Sequence, residues 1–346
     1  MRAAVYTGAK TFEVQDRPDV PPKADEVQID VAFTGICGTD LHVLHGDMDA
    51  RVSIPAIIGH EMSGRVAAIG ADVSGWEIGE PVTVMPSSWC GTCPACRAGN
   101  QHICQRLNFI GIDSAGAMQR HWNVPAETLV RLPVELSLEA AALVEPVAVA
   151  VHDVRRAALS AGEKVVVVGG GPVGMLIATV AAQAGADIVL LEVNAYRRKV
   201  AEELGLVVVD PSTVDISTMI DSWTQGAGAA VAFEVSGAAA GLDAAVDVLA
   251  VRGRLVLVAI HPTPRPINLH RFFWRELTLV GARLYERSDF ERAVELVAGG
   301  SIPTAALVSR IEPIENIAEA FAALESGGDI MKVLIDCRPI TDEVLQ

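Results

Sequence analysis

The sequence predicts an α/β protein in two parts: a doubly wound parallel-sheet domain and a second, β-rich, barrel-like unit. Three observations carry this. Short alternating or apolar runs broken by Gly and Pro fill the first 150 residues or so. From Leu138 onward, strand-like and helix-like patterns alternate, as a parallel sheet covered on both faces requires. A glycine-rich turn, Gly169-Gly-Gly171-Pro172-Val173-Gly174, falls where such a strand passes into such a helix. A chain of 346 residues, 51% of them apolar, is long enough for two domains with separate cores.

In chain order, AAVYTG, EVQIDVAFTG, GHEMSGRVAAIG and EPVTVMPSS are short apolar or alternating runs closed by turn residues, hence strands. Residues 138–157 read as helix, interrupted near Pro146. Lys164–Val168 is a buried strand, Pro172–Ala184 a helix, Ile188–Glu192 a strand and Tyr196–Leu204 a helix. Strands follow at Val207–Asp210, Ala229–Val235, Arg254–Ala259 and Leu277–Val280, with helical stretches between most of them. Helices at Ser288–Ala298 and Ile314–Glu325 and a strand at Lys332–Ile335 finish the pattern. The expected boundaries are residues 1–150 with 288–346 for the β-rich unit and 151–287 for the nucleotide-type domain.

Composition excludes some functions. Net charge is −16, no basic stripe stands out and aromatic residues make up only 5%, so neither nucleic acid nor an anionic membrane is an expected partner. No apolar run approaches the roughly 20 residues of a membrane span, and the opening MRAAVYTGAK lacks a signal-peptide pattern. The expected compartment is the cytoplasm.

Four of the six cysteines, Cys90, Cys93, Cys96 and Cys104, fall in CGTCPACRAGNQHIC. In a chain without a visible secretory signal such a cluster binds metal rather than forming disulfides. Four thiolates at this spacing close on one tetrahedral zinc and leave no position for substrate, so the site is structural.

A second zinc site is read from dispersed residues. Catalytic zinc needs three protein ligands and one exchangeable position. Cys37, in Gly35-Ile36-Cys37-Gly38, and His60, in Gly59-His60-Glu61, sit among turn residues where backbone can approach a metal. Taken alone, a histidine in an apolar run is more often core than ligand. For the third ligand, Glu61 is adjacent, and Glu145 lies in the almost wholly apolar ALVEPVAVAVH, where a carboxylate must be paired or metal-bound. Cys37 thiolate plus one carboxylate neutralises a divalent ion. We place Glu145 as third ligand, with Glu61 beside it as support or exchanging ligand. Cys337 reads as ordinary core, and His102, His121, His261 and His270 receive structural readings.

In the glycine turn, Gly169 makes the bend, Gly171 admits a pyrophosphate and Gly174 lets helix and strand pack, with Pro172 and Val173 opening the helix. Glu192 ends the next strand, placed to bind both adenosine ribose hydroxyls and to repel a 2′-phosphate, so NAD is expected over NADP.

Taken together, Cys37-Gly38-Thr39-Asp40-Leu41-His42, Gly59-His60-Glu61, the cysteine loop, Glu145-Pro146 and the glycine turn resemble the zinc-dependent medium-chain dehydrogenases over nearly the whole chain. The alcohol dehydrogenase branch has a second cysteine as third zinc ligand. Glu145 is similar instead to the glutamate of the sorbitol and 2,3-butanediol dehydrogenase branch. The resemblance implies a GroES-like catalytic domain, a Rossmann domain, two zinc ions per chain and hydride transfer between NAD and a secondary alcohol, a polyol or vicinal diol, giving a ketone. It implies Thr39 and then His42 as proton carriers, Glu61 near the reacting centre, Arg197 against adenine, and a homodimer or homotetramer. Asp40 is expected to hold His60. His45 and Tyr285 are candidate substrate contacts, although the arginine that precedes such a tyrosine in sorbitol dehydrogenases is absent. L-Threonine 3-dehydrogenase stays open as an alternative activity, and more distantly a quinone-reductase-like or non-catalytic relative.

Overall fold

The computed structural model describes residues 1–339; residues 340–346, the tail of the expected 288–346 segment, lie outside them. The chain forms two units, one from Met1–Glu145 together with the chain from Glu286 onward, the other from Pro146–Tyr285.

In the first unit the central strand, Glu26–Gly35, is almost wholly buried (Val27, Ile29 and Val31 are inaccessible), as its dense β-branched content dictates. It pairs antiparallel with Glu61–Ile69, His121–Pro125 and Lys332–Asp336. The seven-stranded sheet runs 308–313, 332–336, 26–35, 61–69, 81–84, 129–131, with 121–125 also on the central strand. Register places Gly35 opposite Glu61 on one side and Leu334 on the other. One end of the sheet therefore gathers the start of strand 61–69, the start of strand 332–336 and the turn that follows Gly35.

The second unit is a six-stranded parallel sheet in the order 207–209, 187–191, 164–168, 229–234, 249–257, 278–281. Lys164–Val168 reads KVVVV and lies inside, flanked by helices such as Pro172–Gln183. Strand order reverses between 164–168 and 229–234, which opens a crevice at the carboxyl ends of these two strands. This is the doubly wound architecture expected from the alternation.

Differences from the expected elements have simple causes. The stretch 138–157 is two helices, Leu138–Ala141 and Val144–Arg156. Pro146 falls in the first turn of the second, where its missing N–H removes no helical bond. Strand Leu249–Leu257 starts five residues earlier than Arg254, with Arg252 in the left-handed region and a register shift against 229–234 at the irregularity. Among the described residues no helix is long and apolar enough to cross a membrane.

Helix Pro172–Gln183 lies so close to the strand it follows that a Cβ at Gly174 would meet the carbonyl oxygen of Gly169. Gly174→Ala is therefore expected to destabilise the protein by about 1–3 kcal/mol, measured as a lowered urea midpoint with an unchanged m-value.

Candidate functional site

Cys37 is the N-cap of the short helix Gly38–Leu44, and Asp40 in its first turn closes the cap, its Oδ2 accepting the Cys37 N–H at 2.9 Å. The thiol thus stands at the positive end of a helix, held by a buried carboxylate. Across the sheet end, His60 and Glu61 open the strand Glu61–Ile69, both at most 2% exposed. Ligand atoms of Cys37, His60 and Glu61 lie within 4.8 Å of one another. Gly35 makes this possible, because a Cβ there would meet the Glu61 carboxylate.

Asp40 Oδ1 stands 3.7 Å from His60 Nδ1, which leaves the other ring nitrogen, Nε2, for a metal. Burial works against the imidazolium, but Asp40, Cys37 and Glu145 together push His60 up to about 10. Burial raises Asp40 in spite of His60 and the Cys37 N–H. Glu145 is outside the tight trio, yet it is 3% exposed and its charge acts on both His60 and Lys332.

Lys332 was not foreseen. Its side chain is 4% exposed, its ammonium pairs with Glu61, and it donates to the Ile36 carbonyl at 3.0 Å. Burial opposes its charge, but Glu61 and Cys37 hold it above the ordinary lysine range. The one sequence signal was a lysine opening the strand KVLID, directly before the apolar run Val333–Ile335. A half-buried thiol converging with a buried imidazole and a buried carboxylate is a donor set that fits zinc.

Thr39 and His42 lie on the helix that Cys37 caps, Thr39 half-buried and His42 with Nδ1 on Asp47 at 2.9 Å. His45, just past the helix, pairs with Glu325 at 2.6 Å. Tyr285 is 1% exposed in the second unit, and Cys337 is buried with its thiol pushed up by burial.

Away from this group, Cys90, Cys93, Cys96 and Cys104 bring their four sulfurs within 4.8 Å of one another without a disulfide. Cys104 Sγ is 3.5 Å from Cys90 Sγ and 3.8 Å from Cys93 Sγ. Backbone N–H groups, that of Thr92 above all, push Cys90 down to about 5, while burial and the neighbouring sulfurs push Cys96 up to about 12. Four sulfurs this close do not all ionise without a cation among them, so the loop also fits zinc.

In the second unit the turn Gly169–Gly174 leads into helix Pro172–Gln183, with Gly171 at its N-cap. Glu192 is 6% exposed, its Oε2 accepting from Gly170 N at 2.6 Å and its Oε1 from Asn194 N at 2.7 Å. Arg197 Nη1 is 3.9 Å from Glu192, whereas Arg198 is engaged by Asp210 at 2.9 Å and by the Val193 carbonyl.

Comparison with known proteins agrees with this arrangement. Residues 23–134 match the alcohol dehydrogenase GroES-like domain and residues 172–299 the zinc-binding dehydrogenase domain. The chain is 50% identical, over 97% of its length and 99% of the relative, to a 2-dehydro-3-deoxy-L-galactonate 5-dehydrogenase of Pseudoalteromonas atlantica. It is 32% identical to a sorbitol dehydrogenase of Halalkalibacterium halodurans, covering 97% and 99% of the two chains. The crystal structure of 2R,3R-butanediol dehydrogenase from Bacillus subtilis superposes with a TM-score of 0.89 at 31% identity, covering 97% and 99%. The chain belongs to the zinc-dependent medium-chain dehydrogenases, in their polyol dehydrogenase branch. Within that family it is an alcohol dehydrogenase.

A ligand must lose its proton to bind metal. At pH 7 a His60 pushed up to about 10 carries one, so zinc binding must expel it. Titration calorimetry of the metal-stripped protein in buffers of different ionisation enthalpy is expected to show about one more proton released in wild type than in His60→Ala. The folded value lies above the ordinary 6.5, so the stability His60 gives the metal-free protein is complete below about pH 6.5 and is lost as pH rises through about 10.

Proposed function

We propose that this chain moves hydride between NAD and a secondary hydroxyl of a polyhydroxy acid or polyol, giving the ketone. The observation that carries the reading is the convergence of Cys37 with the buried His60 and Glu61, in a chain whose 50% identical relative is named a 2-dehydro-3-deoxy-L-galactonate 5-dehydrogenase. Cys37 and His60 would hold the catalytic zinc, with Glu145 as third ligand and Glu61 exchanging beside it. Bound there, zinc supplies a Lewis acid that acidifies an alcohol hydroxyl, and NAD supplies the hydride acceptor.

The protein's own groups do the rest. Thr39 Oγ1 accepts the hydroxyl proton and passes it to His42, whose Nδ1 is fixed by Asp47, so that Nε2 exchanges with solvent. Asp40 holds the His60 ring, and Lys332 pairs with Glu61 and anchors it. His45 and Tyr285 are the proposed substrate contacts. Gly169, Gly171, Pro172, Val173 and Gly174 take the pyrophosphate on backbone N–H groups at the helix start. Glu192 takes the adenosine ribose and Arg197 lies against adenine. Preference for NAD over NADP is supported by the Glu192 carboxylate, fixed by two backbone N–H groups, and by Arg198, already spent on Asp210.

The four-cysteine loop is assigned a second, structural zinc. We place the protein in the cytoplasm as a homodimer or homotetramer; the edge strand Thr278–Gly281, with Leu279 50% exposed, supports pairing between copies. The threonine dehydrogenase alternative is judged in the same assay.

The test is NADH absorbance over a panel of polyhydroxy acids, hexitols, butane-2,3-diol and threonine. Turnover of a polyhydroxy acid or polyol is expected to exceed that of threonine, and kcat/KM to favour NAD at least tenfold. Tenfold preference for NADP overturns the role of Glu192; turnover of threonine alone overturns the substrate class. Metal analysis is expected to give two zinc ions per wild-type chain and one in Cys96→Ser, with a lowered Tm.

A further inference from the structure

A second buried acid–histidine pair lies in the nucleotide unit, outside every residue used above. Glu234 ends the strand Ala229–Glu234 and is fully buried. Its Oε1 accepts from Ser236 N at 2.9 Å, Ser236 Oγ at 2.6 Å and Gly237 N at 2.9 Å. Its Oε2 meets His261 Nε2 at 2.9 Å. His261 follows the end of the neighbouring strand Leu249–Leu257, and its side chain is 11% exposed. Its Nδ1 is buried and has no hydrogen-bond partner among the described residues.

The chemistry of that nitrogen follows from its partner. The Glu234 carboxylate acts as acceptor toward all its neighbours, so the proton of the His261–Glu234 bond sits on Nε2. In the neutral ring Nδ1 is then a lone-pair acceptor. A buried acceptor left without a donor is costly unless a ligand satisfies it.

Position names the ligand. The crevice of a doubly wound sheet lies over the carboxyl ends of its strands at the order reversal, here between 164–168 and 229–234. The glycine turn on strand 164–168 takes the pyrophosphate, and Glu192, one strand toward the 207–209 edge, takes the adenosine ribose. The other half of the dinucleotide must extend the opposite way, over 229–234 and 249–257, the strands that carry Glu234 and His261. That half ends in a carboxamide, whose NH2 is the donor Nδ1 lacks.

We propose that His261 is a cofactor-binding residue, its Nδ1 accepting a hydrogen bond from the nicotinamide carboxamide, and that Glu234 is the positioning residue that fixes its tautomer. The inference rests on the dinucleotide reading above and assigns His261 a role beyond the structural one.

The experiment measures Kd of the zinc-loaded, full-length protein for three ligands: NADH, its reduced 3-acetylpyridine analogue, which has no amide N–H, and ADP-ribose, which has no nicotinamide. His261→Ala is expected to weaken NADH about 3- to 10-fold, the worth of one hydrogen bond. The other two ligands should be unaffected. Glu234→Gln, which keeps the shape but perturbs the tautomer, should weaken NADH alone by a smaller factor. Equal weakening of all three ligands in His261→Ala, or no change for NADH, overturns the proposal. Should the variants not fold, wild type decides: it must bind NADH at least 3-fold more tightly than the acetylpyridine analogue, and equal affinity overturns the inference. Failure of wild type to bind any of the three overturns the dinucleotide reading itself, a distinct result.

Discussion

The first unit depends on a charge cluster that water does not reach. Asp40, His60, Glu61, Glu145 and Lys332 are each buried, with His60 and Glu61 close to the thiol of Cys37. Isolated, any one of these charges costs several kcal/mol to bury. They persist because opposite charges face one another: Asp40 faces His60, Glu61 pairs with Lys332, and the Glu145 charge acts on both His60 and Lys332. The cluster holds three carboxylates and a thiol against two cationic side chains. A divalent cation that takes the place of the His60 proton offsets part of the remaining negative charge, which is why a donor set of this kind suits a metal centre.

Sheet register is what assembles it. Gly35, Glu61 and Leu334 lie abreast, so the turn carrying Cys37, the start of strand 61–69 and the start of strand 332–336 share one end. A one-residue slip of strand 61–69 would turn Glu61 to the other face and leave Lys332 buried without its carboxylate. Packing of the apolar strands and neutralisation of the polar end therefore enforce the same pairing. The absence of a side chain at Gly35 is part of that fit.

The nucleotide unit uses polar burial differently. Glu234 ends one parallel strand and accepts backbone N–H groups from the turn that follows, while Glu192, just past another strand, accepts one from Asn194 in its own turn and one from Gly170 in the neighbouring glycine turn. Carboxylates so held are fixed in direction by backbone donors, and each keeps a further interaction for something else. For Glu234 that is a histidine; beside Glu192 stands Arg197, whose Nε is buried and without a hydrogen bond. The four sulfurs of residues 90–104 are a third solution, in which backbone donors stabilise some thiolates and burial resists the last.

The amino-acid sequence by itself determined the local features: the strand and helix alternation, the glycine turn, the four-cysteine loop and the acid, Glu192, that follows strand Asp187–Leu191. These are legible because their partners lie within a few turns of chain, so residue type and spacing carry the physics. Tertiary structure decided what depends on distant segments. The placing of Lys332 on Glu61, across some 270 residues of chain, could not be read from KVLID alone. Nor could the meeting of Glu234 with His261, which joins two strand ends that sequence shows only separately. The close grouping of Glu61, with Glu145 just outside, was likewise fixed by strand register. Side-chain spacing within an element is set by backbone geometry and is visible in sequence, whereas pairing of buried charges is set by which elements pack together.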